Sequence, residues 1–197
     1  MRYDAEHRGK TREKILKEAA SAIRARGPEG VGVAALMKQA GLTHGGFYAH
    51  FGSKDELVSE AIDVMFDEAR QRFDRALAQI DPRAALGNYV DFYLSPLHRD
   101  ARGRGCPVAA LSGDMARLEP DARARFSRGI TGLSGALGDA LERLGIADPR
   151  RAGRSMLSEL VGALLLSRTV ADPAEADAIL ADSAASIRAR YQLGARA

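Results

Sequence analysis

The sequence predicts an all-helical fold. Alanine, leucine and arginine dominate its 197 residues, and the β-branched and aromatic runs that favour strands are scarce. Apolar side chains recur at three- and four-residue spacing along most of the chain. Three Asp-Pro pairs, Asp81-Pro82, Asp148-Pro149 and Asp172-Pro173, each supply an N-cap followed by proline at the first helical position. The expectation is about nine helices, three short ones in an N-terminal module and six mostly longer ones in a C-terminal body.

The first helix is expected over Thr11–Arg26, where Ile15, Leu16, Ala19, Ala20 and Ile23 share one face. Gly27, Pro28 and Gly30 end it. A short second helix runs from about Val33 to Ala40, and Gly41 supplies the left-handed residue that turns the chain. Thr43 is placed to cap a third short helix, roughly His44 to Phe51, whose Phe47 and Phe51 face inward. Ser53-Lys54-Asp55-Glu56 has the form of a capping box opening a long helix. Its apolar period runs from Leu57 through Met65, Phe66 and Phe73 to Leu77, with nothing to break it before Ile80. Further helices are expected at roughly 82–98, 107–118, 120–145, 149–171 and 173–191. These elements divide the chain into an N-terminal module, 1–54, and a body, 55–197, joined by the long helix from about Lys54.

The net charge of +3 is unevenly spread. Residues 1–54 hold ten Lys+Arg against five Asp+Glu, a net of +5, and the remainder carries a net of −2. A basic head suits a phosphate-facing module, although a solvated surface with chance asymmetry gives the same totals. One cysteine, Cys106, rules out an intramolecular disulfide and fits a reducing compartment. The N-terminus has no hydrophobic signal segment, and the apolar stretch Leu157–Val170 is too short and too interrupted to span a bilayer. A cytoplasmic protein with no membrane partner is expected.

A helix, a glycine turn and a second short helix form a helix-turn-helix, whose second helix enters the major groove of DNA. Thr43, His44, Gly45, Gly46, Tyr48 and His50 are small or able to hydrogen-bond, as a groove-facing surface requires. Two adjacent glycines cost about 1 kcal/mol each in a helix, which fits close approach of another molecule to the backbone. A sharp surface turn would also use them.

The stretch Thr11 to Leu57 resembles the N-terminal domain of TetR/AcrR-type repressors. The resemblance rests on Ala40-Gly41-Leu42, Gly46-Phe47-Tyr48, His50-Phe51 and Lys54-Asp55-Glu56-Leu57 in that order. It implies that Thr43, His44 and Gly45 begin a recognition helix, that Tyr48 and His50 meet phosphates, and that Lys54 contacts the backbone. Arg8, Lys10, Thr11 and Arg12 would lie at or before the first helix, within reach of phosphates or the minor groove. The chain departs from the family at Ala22-Ile23-Arg24, where an aromatic residue is common; packing rather than DNA contact is affected.

The resemblance also implies a homodimer on a near-palindromic double-stranded operator and a small-molecule inducer in the body. Met65, Phe66, Tyr89, Phe92, Tyr93, Cys106 and Met115 are candidate pocket residues, and equally candidates for ordinary core. Cys106 stands before Pro107 and after Arg99, Arg102 and Arg104, a setting that suits a thiolate; an inert buried cysteine is the alternative. Gly105-Cys106 resembles the branch that includes the N-ethylmaleimide-reductase repressors, which sense electrophiles. Met156, Leu157, Leu160, Leu164, Ile179 and Ile187 form apolar stripes suited to a partner's helices or to closing the monomer core. Inducer binding is expected to shift the long connecting helix and so the spacing of the two recognition helices.

Other classes fare worse. The four histidines, His7, His44, His50 and His98, have no metal-ligand spacing, and no nucleophile elbow or phosphate loop is present. No enzyme activity, metal or cofactor is therefore expected. A sequence-indifferent DNA-packaging protein would explain the basic head but not a pocket-bearing body.

Overall fold

The computed structural model describes residues 2–78 and 81–194, with side chains from Glu6 onward. Every regular element among them is helical. The order is α1 (Arg2–Arg26), α2 (Val33–Gln39), a 3-10 turn (His44–Ala49), α3 (Lys54–Leu77), α4 (Pro82–Tyr93), α5 (Pro96–Asp100), a 3-10 turn (Arg102–Arg104), α6 (Pro107–Leu111), a third 3-10 turn (Met115–Arg117), α7 (Pro120–Arg143), α8 (Pro149–Ser167) and α9 (Pro173–Tyr191). The all-helical expectation holds, and local chemistry explains most boundaries. Asp81, Asp148 and Asp172 each accept a bond from a first-turn amide, with proline following. Gly41 takes φ +75° as the turn requires. Ser53 caps α3 through the Glu56 amide at 3.0 Å, while Glu56 reaches back to the Gly52 amide at 2.7 Å.

Four expectations are corrected. First, α1 begins at Arg2 rather than near Thr11, so Arg8 and Lys10 lie within it; Lys10 pairs with Glu6 one turn back at 2.8 Å. Second, the segment after Thr43 is a 3-10 turn without a side-chain cap, closed by i→i+3 bonds such as Gly46 N to Thr43 O at 3.1 Å. Its two glycines and its shortness give an α-helix little to propagate. Third, the helix expected over 82–98 breaks at Ser95, which Pro96 forces into the extended region and which then caps α5 through the His98 amide. Fourth, 107–118 splits at Ser112-Gly113 into α6 and a 3-10 turn. The predicted end of the long helix at Ile80 lies outside the described residues.

Ile15, Ile23, Leu36, Met37, Phe47, Phe51 and Leu57 are fully buried and close the N-terminal module. Its core is continuous with that of the body through Ile62, Met65 and Leu86 to Leu111 and Leu141 on the far side of α3. Helices α7 and α8 cross in backbone contact: a Cβ on Gly153 would stand 2.4 Å from the Ser134 carbonyl oxygen and 2.5 Å from the Gly138 amide. Helix α9 packs on α8 and α4, where Arg188 pairs with Asp91 at 2.9 Å.

Candidate functional site

Two sites matter, at opposite ends of α3. At the N-terminal end, Phe47 and Phe51 stack with ring centroids 5.5 Å apart and fix the 44–49 turn against the core. Thr43, His44, Gly45 and Tyr48 are thereby turned to solvent. Tyr48 is 67% exposed and edge-on to His44, so it does not cover the module's core. A Cβ on Gly45 would meet nothing within 4 Å, so this fold's own packing does not require that glycine. Gly46 lies in ordinary contact with Met37. His50 is half-buried, and burial with the nearby Arg8 and Arg12 charges lowers its pKa.

The flanking cations differ from one another. Lys54 is half-exposed and only 4.0 Å from the highly exposed Glu29, which leaves its ammonium available. Arg12 is committed within the fold: it bonds Glu60 at 2.5 Å and lies 4.6 Å over the Phe51 ring. The half-buried Thr11 lies beside it. Arg8 donates to the Ala49 carbonyl at 2.8 Å and braces the turn.

At the other end, α3, α4, α5, α7 and α8 enclose a cavity of about 20 Å3, room for roughly one water molecule. Tyr89, Phe92, Tyr93 and Cys106 line it, as the sequence suggested, together with Arg72, Phe73, His98 and Leu157. The other pocket candidates lie outside this cavity. Met65 is fully buried in the core, Phe66 packs on Phe126 beneath Gly129, and Met115 sits half-buried in the 3-10 turn after α6. Leu157 lines both this cavity and an open groove of about 440 Å3 between α7 and α8, so it forms the wall between them.

The cavity's polar groups come from the sharp turn at Ser95. His98 folds back so that its Nδ1 lies 2.7 Å from the Tyr93 carbonyl oxygen, while Nε2 has no partner. Phe92 stacks on the same ring, and burial lowers the His98 pKa to about 4. Burial first, and the Cys106 sulfur next, raise the pKa values of Tyr89 and Tyr93. Both phenols therefore remain protonated and neutral at any working pH.

Cys106 is buried at the start of α6. The arginines before it in sequence are not its neighbours of consequence: Arg99 is paired with Asp100 and Asp177, and Arg102 and Arg104 point to solvent. The cation that approaches is Arg168, from the end of α8. A Cβ on Gly105 would stand 3.2 Å from its guanidinium, so the glycine makes room for it. Three arginines hold this loop and the helix just before it by their main-chain carbonyls. Arg24 of α1 donates to Gly103 at 2.8 Å, Arg72 of α3 to Arg104 at 2.8 Å, and Arg168 of α8 to Arg99 at 3.0 Å.

The residues proposed for a partner's helices lie mostly inside the single chain. Met156, Leu157, Leu160, Leu164 and Ile187 are buried within the protomer, and Ile179 is half-buried. What α8 and α9 turn outward is Leu165 and Leu166, with the exposed Ala174, Ala178, Ala181 and Ala185 at helical spacing.

Residues 15–61 match the family model of bacterial regulatory proteins, tetR family. By this match its N-terminal module is similar to that of the TetR family. It is 28% identical over 139 residues to the HTH-type transcriptional repressor NemR of Escherichia coli strain K12, covering 67% of each chain. Its identity to the HTH-type transcriptional regulator LmrA of Bacillus subtilis strain 168 is 26% over 165 residues, 82% of this chain and 88% of that one. In fold it resembles the crystal structure of reduced E. coli NemR, with a TM-score of 0.80 at 22% identity over 91% of this chain and 96% of that one. A TetR regulator from Chloroflexus aurantiacus aligns with a TM-score of 0.79 at 22% identity, covering 95% and 96% of the two chains. These relatives are transcriptional regulators, and the segment of this chain that matches the family model holds the helix-turn-helix. Among its described residues no group could hold a metal ion, and no helix is long and apolar enough to cross a membrane.

Proposed function

We propose that the chain is a ligand-responsive repressor that binds a near-palindromic operator as a dimer through Thr43, His44, Gly45, Gly46, Tyr48, His50 and Lys54. An inducer acts from the cavity around Tyr89, Tyr93, His98 and Cys106. One observation carries the reading: the loop that leads to Cys106 is tied to α1 by the Arg24–Gly103 hydrogen bond. The cavity is too small for an inducer at rest, so occupation has to push its walls apart. Moving the Cys106 loop then pulls on α1, and moving Phe73 shifts α3. Both helices carry the DNA-reading module, so the two copies lose their matched spacing. A coupling of about 1–3 kcal/mol suffices to release an operator.

Dimerisation uses the outward face of α8 and α9, where Leu165, Leu166 and the α9 alanines permit close approach of a second copy. Reaction of an electrophile at Cys106 is one way to trigger release, and the place of this thiol in the cavity lining favours it. Non-covalent binding in the same cavity is the second reading, favoured by the burial of the thiol.

The test is binding to the chain's own upstream DNA at fixed salt, with and without a quinone, for wild type and Cys106→Ser. The repressor reading expects a specific complex that inducer dissolves. Quinone release in the wild type alone assigns the trigger to the thiol, and equal release in both assigns it elsewhere in the cavity. Failure to bind any upstream sequence better than random duplex overturns the reading.

A further inference from the structure

The buried polar atoms of the cavity specify what it can take, on the reading that the cavity is the inducer site. A backbone carbonyl can only accept, so the 2.7 Å contact between His98 Nδ1 and the Tyr93 carbonyl places the ring proton on Nδ1. In a neutral imidazole the other nitrogen is then a bare acceptor. His98 is 3% exposed, and that Nε2 has no partner. A buried acceptor left unbonded is costly, and an arriving donor recovers that cost. The Tyr93 hydroxyl, 4% exposed in the whole residue, stands beside the Cys106 thiol, a weak partner at best, and can donate into the same space.

The rest of the lining sets the ligand's body and charge. Phe73, Tyr89, Phe92 and Tyr93 supply ring surfaces, and Leu133, Leu137 and Leu157 complete an apolar shell. The charged side chain in that lining is Arg72; no carboxylate accompanies it, which disfavours a cationic ligand. A carboxylate anion brings no proton for Nε2, and neither does a ketone. An aromatic hydroxyl donates and accepts through one atom on a flat apolar ring, which suits a donor and an acceptor that face the same small space, and nearby positive charge strengthens it as a donor.

We infer that the cavity is selective for small phenols, with the ligand hydroxyl donating to His98 Nε2 and accepting from Tyr93. The ring enters past Leu157, whose far side opens on the groove between α7 and α8. Arg150 and Arg154 on that groove make its mouth cationic, which suits an electron-rich ring over an ammonium.

The experiment is calorimetric titration of the full chain with phenol, anisole, benzamide and benzoate, repeated on two variants. His98→Asn keeps a donor where Nδ1 stands and removes the acceptor at Nε2, and His98→Phe fills the space without polarity. Phenol is expected to bind wild type at least tenfold more tightly than anisole, its methyl ether. Benzamide and benzoate bind more weakly than phenol. The phenol-to-anisole ratio falls to threefold or less in either variant that retains its helical circular dichroism. The assignment is overturned by anisole within threefold of phenol in wild type, by tighter benzamide or benzoate, by no saturable phenol binding, or by a ratio that survives both substitutions. The wild-type series decides the matter even if neither variant folds. Operator binding is measured alongside: a quinone that still releases DNA when phenol does not bind sinks the phenol assignment alone. DNA affinity unmoved by every cavity ligand and electrophile sinks the inducer-site reading beneath it.

Discussion

Arg24 and Gly103 join the first helix to the loop before Cys106, through a 2.8 Å bond from the guanidinium Nε to the Gly103 carbonyl oxygen. The same guanidinium pairs with Glu68 of α3 at 2.6 Å, so one side chain ties three elements together. A Cβ on Gly103 would stand 3.0 Å from the Ser21 hydroxyl, which is how closely the loop is drawn onto α1.

Arg24→Met removes that tie while keeping the apolar stem. Because Glu68 is about one-third exposed and recovers water, the expected loss of stability is modest, about 1–2 kcal/mol. Inducer response falls further than stability does: the variant binds operator but needs several-fold more inducer for release. Thermal melts and operator titrations on the same preparation separate the two effects. Full inducer response in a folded variant would remove Arg24 from the coupling.

Gly153→Ala puts a methyl group against the Ser134 carbonyl and the Gly138 backbone, which have no rotamer to yield. The expected cost is about 2–3 kcal/mol or more, seen as a lowered urea midpoint. Gly45→Ala, whose new methyl meets open space, leaves stability within about 0.5 kcal/mol of wild type and weakens operator binding instead.

The buried His98 gives stability a pH dependence of known sign. Its folded pKa of about 4 is below the ordinary 6.5, so the unfolded chain binds the proton more readily between these values. The stabilisation from neutral burial is complete above about pH 6.5 and is lost as pH falls towards 4, by roughly 2–3 kcal/mol in all. Urea midpoints of wild type and His98→Asn should therefore converge between pH 7 and pH 4.5. Parallel curves would show that His98 does not titrate in this window.

Lys54→Gln is expected to weaken operator binding about equally on all sequences and to lower the slope of log K against log salt by about one. Tyr48→Ala, at a 67% exposed position, lowers operator affinity at least tenfold without moving the melting temperature. Gel-shift titrations at three salt concentrations check both.

Leu166→Asp puts a charge at a 58% exposed position on the outward face of α8. Sedimentation is expected to report a folded monomer with weakened operator binding. A variant that still dimerises would move the interface elsewhere.

Much of the fold was legible because its signals are local. Each Asp-Pro cap, the Ser53–Glu56 box and the positive φ at Gly41 are settled within a few residues of chain, and the core stripes follow from helical spacing. The break at Ser95 was equally local but was missed, since Pro96 sits inside an otherwise helical stretch. The inner site was only half legible. Tyr89, Phe92, Tyr93 and Cys106 stand out by residue type, whereas Arg24, Arg72 and Arg168 act on main-chain carbonyls 79, 32 and 69 residues away. Nothing in a sequence window marks such pairs. Arg24 did carry a faint sign, as the residue closing a stretch where the family favours an aromatic. The buried stripe of α8 misled for a different reason: Leu160 and Leu164 satisfy the same apolar period whether they face their own protomer or another.

The three arginines that grip the Cys106 loop and the helix just before it all bind main-chain oxygens, and every residue has one. Apart from Gly103 and Gly105, where space is short, the side chains of this loop are thus free to drift without loosening the grip. Substitutions can accumulate in this loop one at a time while its attachment to α1, α3 and α8 is kept.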